Sequence, residues 1–209
     1  MTLKKKLATA FVALSLTAGL VPTVLAQSSD SSASSTAASA NSNEANKPNA
    51  TTYDQVTKTA EEFIKFYRDA HPKQDLTNVE LKFDDDLRFY VVEYDAVDDN
   101  NEYELKINAA TNAEVAKSEQ SLVKAKQGGV ERREEGLNLE KMKDFKDIKA
   151  AAEAAVDLKG FNFDHWELDR EGAATVWSLS YKNGKTEVEV KIDAQSGQVV
   201  GIDDDRLDD

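Results

Sequence analysis

Apolar residues recur along this chain with two different periods, and the order of those periods is itself repeated. Ala60, Phe63, Ile64 and Tyr67 fall at i, i+3, i+4 and i+7, the spacing that lines one face of a helix. Thr59 and Glu62 stand where a capping box would satisfy the first free N–H groups of that helix, and His71-Pro72 ends it. Alternating segments follow at 79–83, 87–94 and 103–107, parted by the acidic loops Asp84-Asp85-Asp86 and Asp98-Asp99-Asn100, and these predict three strands. The same order then returns. Asp144 is placed to cap a helix with Phe145, Ile148, Ala152 and Ala155 on one side, ending near Gly160. Strands are predicted at 163–168, 175–181 and 186–192, with Asn183-Gly184 at the centre of a hairpin turn.

The two series are copies of one unit. Residues 103–115 recur 85 positions later as 188–200, while Val79, Tyr90 and Tyr94 match Trp166, Trp177 and Tyr181 at a spacing of 87. The difference of two residues belongs in a hairpin loop, where insertions are tolerated. A duplicated unit implies two equivalent modules. The predicted organisation is a signal peptide at 1–26, a disordered tether at 27–52, a first module at 53–118, a charged connector at 119–141 and a second module with an acidic tail at 142–209. Each module has about 60 to 70 residues, a size at which a core is marginal alone, so the two are expected to pack on each other or on a partner.

The ends and the charge narrow the setting. Lys4, Lys5 and Lys6 precede an apolar stretch closed by Val24-Leu25-Ala26, the arrangement of an export signal with a cleavage site. If it is not cleaved, the same stretch would anchor the chain in a membrane. Residues 27–50 are almost wholly Ser, Ala, Asn and Thr, too poor in apolar area to offset the entropy of ordering. The chain has no Cys, so it carries no lipid-accepting cysteine and folds without disulfides. The formal charge of −13 repels nucleic acid and anionic lipid and favours neutral or basic partners.

The turn Asp193-Ala194-Gln195-Ser196-Gly197-Gln198-Val199, following a helix and three strands, resembles the PepSY family. Such modules occur in the propeptides of thermolysin-type metalloproteases and, often in tandem, in secreted bacterial proteins. The first copy departs from the pattern, with Asn108 for Asp and Asn112 for Gly; Asn tolerates the left-handed backbone, so the turn is expected to survive. The resemblance implies an α+β fold of two tandem modules, each a helix packed on a small antiparallel sheet. It also implies binding or restraint of proteases or other extracytoplasmic partners, and it brings no catalytic residues with it.

A search of the residues for chemistry agrees. His71 and His165 are the only histidines, and neither has metal-ligand spacing. The Asp runs lack the alternating ligands and the Gly of a calcium loop. No cofactor is expected and no enzyme activity. The expected function is non-enzymatic binding of an extracellular or envelope protein, such as a secreted protease, at the cell surface, the alternative being a structural or sensory module that recognises a cell-wall component. One surface stands out. Phe89 and Val91 alternate with the inward residues Tyr90, Val92 and Tyr94 and so fall on the wet side of their strand. With Glu93, Glu102 and Glu104 they form the candidate interaction surface; the alternative is that the apolar pair packs against the connector or the other module.

Overall fold

The computed structural model describes residues 49–207. The signal and nearly all of the tether lie outside them. Helix α1 spans Ala60–Ala70 with both arms of the Thr59/Glu62 capping box formed, and it buries Ala60, Phe63, Ile64 and Tyr67, the face its sequence spacing marks. Strands β1 (Asp75–Asp84), β2 (Phe89–Val97) and β3 (Asn101–Asn108) follow, and then a fourth, β4 (Glu114–Ser121). The short helix α2 spans Val130–Glu135 and α3 spans Phe145–Ala155. The second set of strands is β5 (Asn162–Glu171), β6 (Ala174–Asn183), β7 (Thr186–Asp193) and β8 (Val199–Asp204).

The strands do not form two small sheets. They make one antiparallel eight-stranded sheet in the order β4-β3-β2-β1-β5-β6-β7-β8. Each copy is a four-strand meander, and the two meanders meet where β1 pairs with β5. Val79 faces Leu168 and Leu81 faces Trp166, while Glu80 faces Glu167, its own equivalent in the other copy. A pseudo-twofold axis therefore passes between these two glutamates.

One core serves both copies. Phe63, Tyr67, Val79, Leu81, Tyr94, Ile148, Trp166, Leu168, Trp177 and Ile192 belong to a single buried cluster. Tyr67 stacks on Tyr94 with ring centroids 4.9 Å apart, and the Tyr94 hydroxyl donates to the Phe63 carbonyl. The predicted tether boundary shifts here. Ala50 is buried, its carbonyl accepts from the Tyr90 N–H, and Tyr53 packs on Tyr90 of the first copy and Phe163 of the second.

Several local expectations are corrected. The side chain of Asp144 makes no capping hydrogen bond; the Phe145 N–H at the start of α3 instead donates to Glu61 Oε1 of α1, at 2.6 Å. That helix stops at Ala155, which is exposed, short of Gly160. The β6–β7 hairpin turns on Gly184-Lys185, because Asn183 already pairs with Thr186; Gly184 takes the positive φ of 64° at the first turn position, which suits a type II′ turn. The region read as a solvated connector begins inside β4 and is pinned to both copies. Arg132 bridges Asp75 and Asp99, the Leu137 N–H donates to the Leu76 carbonyl, and the Asn138 N–H donates to Thr175 Oγ1.

Candidate interaction surface

Tyr67 of α1 packs on Tyr94, and Phe145 of α3 packs on Trp166 and Trp177; the residues that alternate with these along the strands form the other face. The outward face of the first copy is a charged ladder. Lys82 reaches Glu80 at 2.6 Å and Glu93 at 2.7 Å, and Lys106 reaches Glu93 at 2.7 Å and Asp84 at 2.9 Å. Burial works against the charge on Glu93, but the hydrogen bonds from Lys106 and Lys82 outweigh it and hold the carboxyl below its usual range. Asp95, next along the same face, has no such cation to itself. The residue is exposed, with Glu104 directly opposite on β3. Desolvation first, then Glu104, Glu93 and Glu80, push its carboxyl up to about 7.

The sign of that shift gives a prediction. Folded Asp95 holds its proton to about pH 7, whereas unfolded it releases the proton near pH 4. The folded chain thus binds more protons across that window and loses this part of its stability as pH rises through it. Asp95→Asn keeps the shape without the charge. It should stabilise the chain by about 1 kcal/mol at pH 8, discounted from the full shift because the group meets solvent, and by almost nothing at pH 4. Melting curves at the two pH values measure this; an equal change at both would refute the assignment.

The candidate residues do share this face. Val91, Glu93 and Asp95 alternate along β2, and Glu102 and Glu104 on β3 lie opposite Val97 and Asp95. What the apolar pair offers is less than the alternation implies. Val91 is fully buried between Lys82 and Asn108 of the neighbouring strands, and Phe89 is half-buried. Long side chains such as Lys82 lay apolar stems over neighbours of this kind. Val91 therefore has no free surface to give to a partner.

The residues considered for chemistry are accounted for locally. His71 packs on Tyr67 in a tilted arrangement, and His165 Nδ1 lies 2.8 Å from Asp164, which also pairs with Lys182. Asp84 accepts the N–H groups of Asp86 and Leu87 and the Lys106 ammonium. Asp98 accepts the N–H groups of Asn100 and Asn101 and the Tyr103 hydroxyl. Asp204 is tied to Arg206. Among the described residues no group of His, Asp or Glu side chains is arranged to hold a metal ion. A cleft of about 610 Å3 opens between α1 and the connector, with Ile64, Leu139 and Met142 below and Arg68, Asp69 and His71 around it.

The duplicated turn decides the family. Asp193 accepts from the N–H and hydroxyl of Ser196, and Gly197 has φ 73°. In the first copy Asn108 accepts from the N–H groups of Ala110 and Thr111, and Asn112 takes φ 58°. The unusual first copy keeps the geometry. The family described as "Peptidase propeptide and YPEB domain", PepSY, matches residues 51–115 and again 144–203. The chain belongs to the PepSY family, in tandem.

The chain is also similar to a solved structure, that of a "putative lipoprotein" from Clostridium difficile 630. It is 24% identical, with a TM-score of 0.61 over 71% of this chain and 96% of that one, a likeness of fold. No curated protein matches the chain significantly. The feature of these PepSY copies that the sequence reading missed is the outer edges of the sheet. β4 and β8 each follow a family turn. In β8 the run Val199-Val200-Gly201-Ile202 is the β-branched signal that marks a strand.

Proposed function

We propose that this protein is exported and acts at the cell surface as a non-enzymatic protein-binding module, with a secreted peptidase as the partner class to test first. The observation that carries this reading is the fused sheet: eight strands with helices on one face leave a broad opposite face and two strand edges for contact. The family description, which names peptidase propeptides, supports the choice of partner. The acidic surface favours neutral or basic partners. A second reading, recognition of an envelope component, draws support from the lipoprotein of like fold.

Residues 27–209 added to a thermolysin-type metallopeptidase should lower its hydrolysis of a small peptide substrate in a saturable way, without the chain itself being cleaved in step. Unchanged hydrolysis, with the chain sedimenting with purified cell walls instead, would overturn the peptidase reading in favour of the second.

A further inference from the structure

We propose that the outer edge of β8 is a strand-addition site that takes an extended segment of another protein in which apolar residues alternate with lysine or arginine. This deepens the binding reading above by naming the surface and the chemistry of the segment.

The duplication supplies an internal comparison. β4 and β8 are equivalent strands, and each ends the sheet on its own side. An edge strand presents unpaired backbone groups, and proteins guard such edges with charge or leave them for a partner. β4 is guarded. It carries Glu114, Lys117 and Glu119, with Lys117 paired to Glu114. At the repeat spacing of 85, the residue in β8 that corresponds to Lys117 is Ile202.

Ile202 is one of several exposed apolar residues in and just after this strand. Val199, Val200 and Ile202 are 39%, 56% and 46% exposed, and Leu207 just beyond is 80% exposed. Of six large apolar side chains exposed among the described residues, these are four. The bulge between β7 and β8 leaves Val200 without a paired residue on β7.

The two faces of β8 specify the partner. Val199 and Ile202 lie opposite Ile192 and Val190, whose side chains are core residues. An added strand would thus set its apolar residues beside them and extend the core layer. Its alternate residues would fall on the other face, with Asp203, which is exposed, and Glu189 opposite it. Asp205 extends the acidic end. Cations suit those positions. A second copy suits the edge poorly, since two chains of formal charge −13 repel and one short strand buries far less than a stable dimer needs.

The test uses residues 27–209 and a synthetic peptide alternating lysine and valine, about eight residues long, followed by calorimetric titration. A block-ordered peptide of the same composition should bind about tenfold more weakly or worse, because it cannot place apolar and basic residues on opposite faces. The alternating peptide N-methylated at every second residue should also lose binding, since its edge N–H groups are gone. Ile202→Lys, which copies the guarded edge, should weaken binding by a similar factor with an unchanged melting curve. Equal affinity for alternating and block-ordered peptides would overturn the proposal, as would a methylated peptide that binds normally; neither result depends on any variant folding. Sedimentation showing a dimer that Ile202→Lys dissociates would replace the basic segment with a second copy and overturn it too. Failure of peptidase inhibition alone would leave the β8 assignment standing, whereas failure here would leave the broader binding reading to other surfaces.

Discussion

Neither half of the chain, 49–122 or 137–207, should fold cooperatively when expressed alone, and residues 27–209 should unfold in a single transition. The reason lies at the β1–β5 seam. Val79, Leu81, Trp166 and Leu168 are essentially fully buried, and they meet there as cross-strand pairs. Separation would bare β1 and β5 as unguarded edges and expose these side chains, at about 1.5–3 kcal/mol for each that is fully lost to solvent. The whole stability of an ordinary domain is about 5–15 kcal/mol. Further ties cross the seam: Tyr53 bridges Tyr90 and Phe163, Glu61 caps α3, and the Tyr90 hydroxyl donates to the Asp164 carbonyl. Scanning calorimetry should give equal calorimetric and van't Hoff enthalpies for residues 27–209. Two resolved transitions, or a sigmoidal melt from either half, would refute the single unit.

The seam also marks the limit of what the sequence discloses. Local signals survive intact: the Thr59/Glu62 box, the buried face of α1 and both family turns appear where spacing and turn chemistry put them, because each is decided within a few residues. The β1–β5 pairing joins residues almost ninety positions apart, and no periodicity records which strand edge will meet which. β4 was hidden for a different reason. An edge strand exposed on most sides keeps polar residues, so Glu114–Ser121 gives no alternating apolar signal and its end, from residue 119, reads as solvated connector.

Val91 shows how alternation can mislead about a site. Period two assigns it correctly to the outward face, since it alternates with Glu93 and Asp95 there. It does not follow that the face is open at that point. The flanking positions belong to Lys82 and Asn108, from the strands on either side in the meander, and the valine ends up fully buried. The exposed apolar area sits on β8, at the far edge of the other copy. A face assignment is a local property, whereas exposure depends on neighbours that only the sheet order supplies.

The largest single-residue effect is expected at Trp177. It is fully buried and packs between Phe145, 5.0 Å away, and Trp166, 5.4 Å away, in tilted and edge-on arrangements. Trp177→Ala would leave a cavity lined by those rings and by Leu168 and Ile192, its strand neighbours, and should cost about 3–5 kcal/mol. That corresponds to a fall in melting temperature of roughly 10 °C for a unit of this size. Trp177→Phe should behave very differently. The indole Nε1–H has no acceptor among the described residues, and a buried unsatisfied donor carries a penalty of about 1–3 kcal/mol. Phe removes that donor and keeps a ring in the triangle, so the lost area and the relieved donor largely offset each other. A net cost under about 1.5 kcal/mol is expected. Urea unfolding followed by the fluorescence of Trp166, the chain's other tryptophan, measures both variants with the same reporter. If Phe costs as much as Ala, the indole N–H is hydrogen-bonded in solution and the packing account of this triangle is wrong.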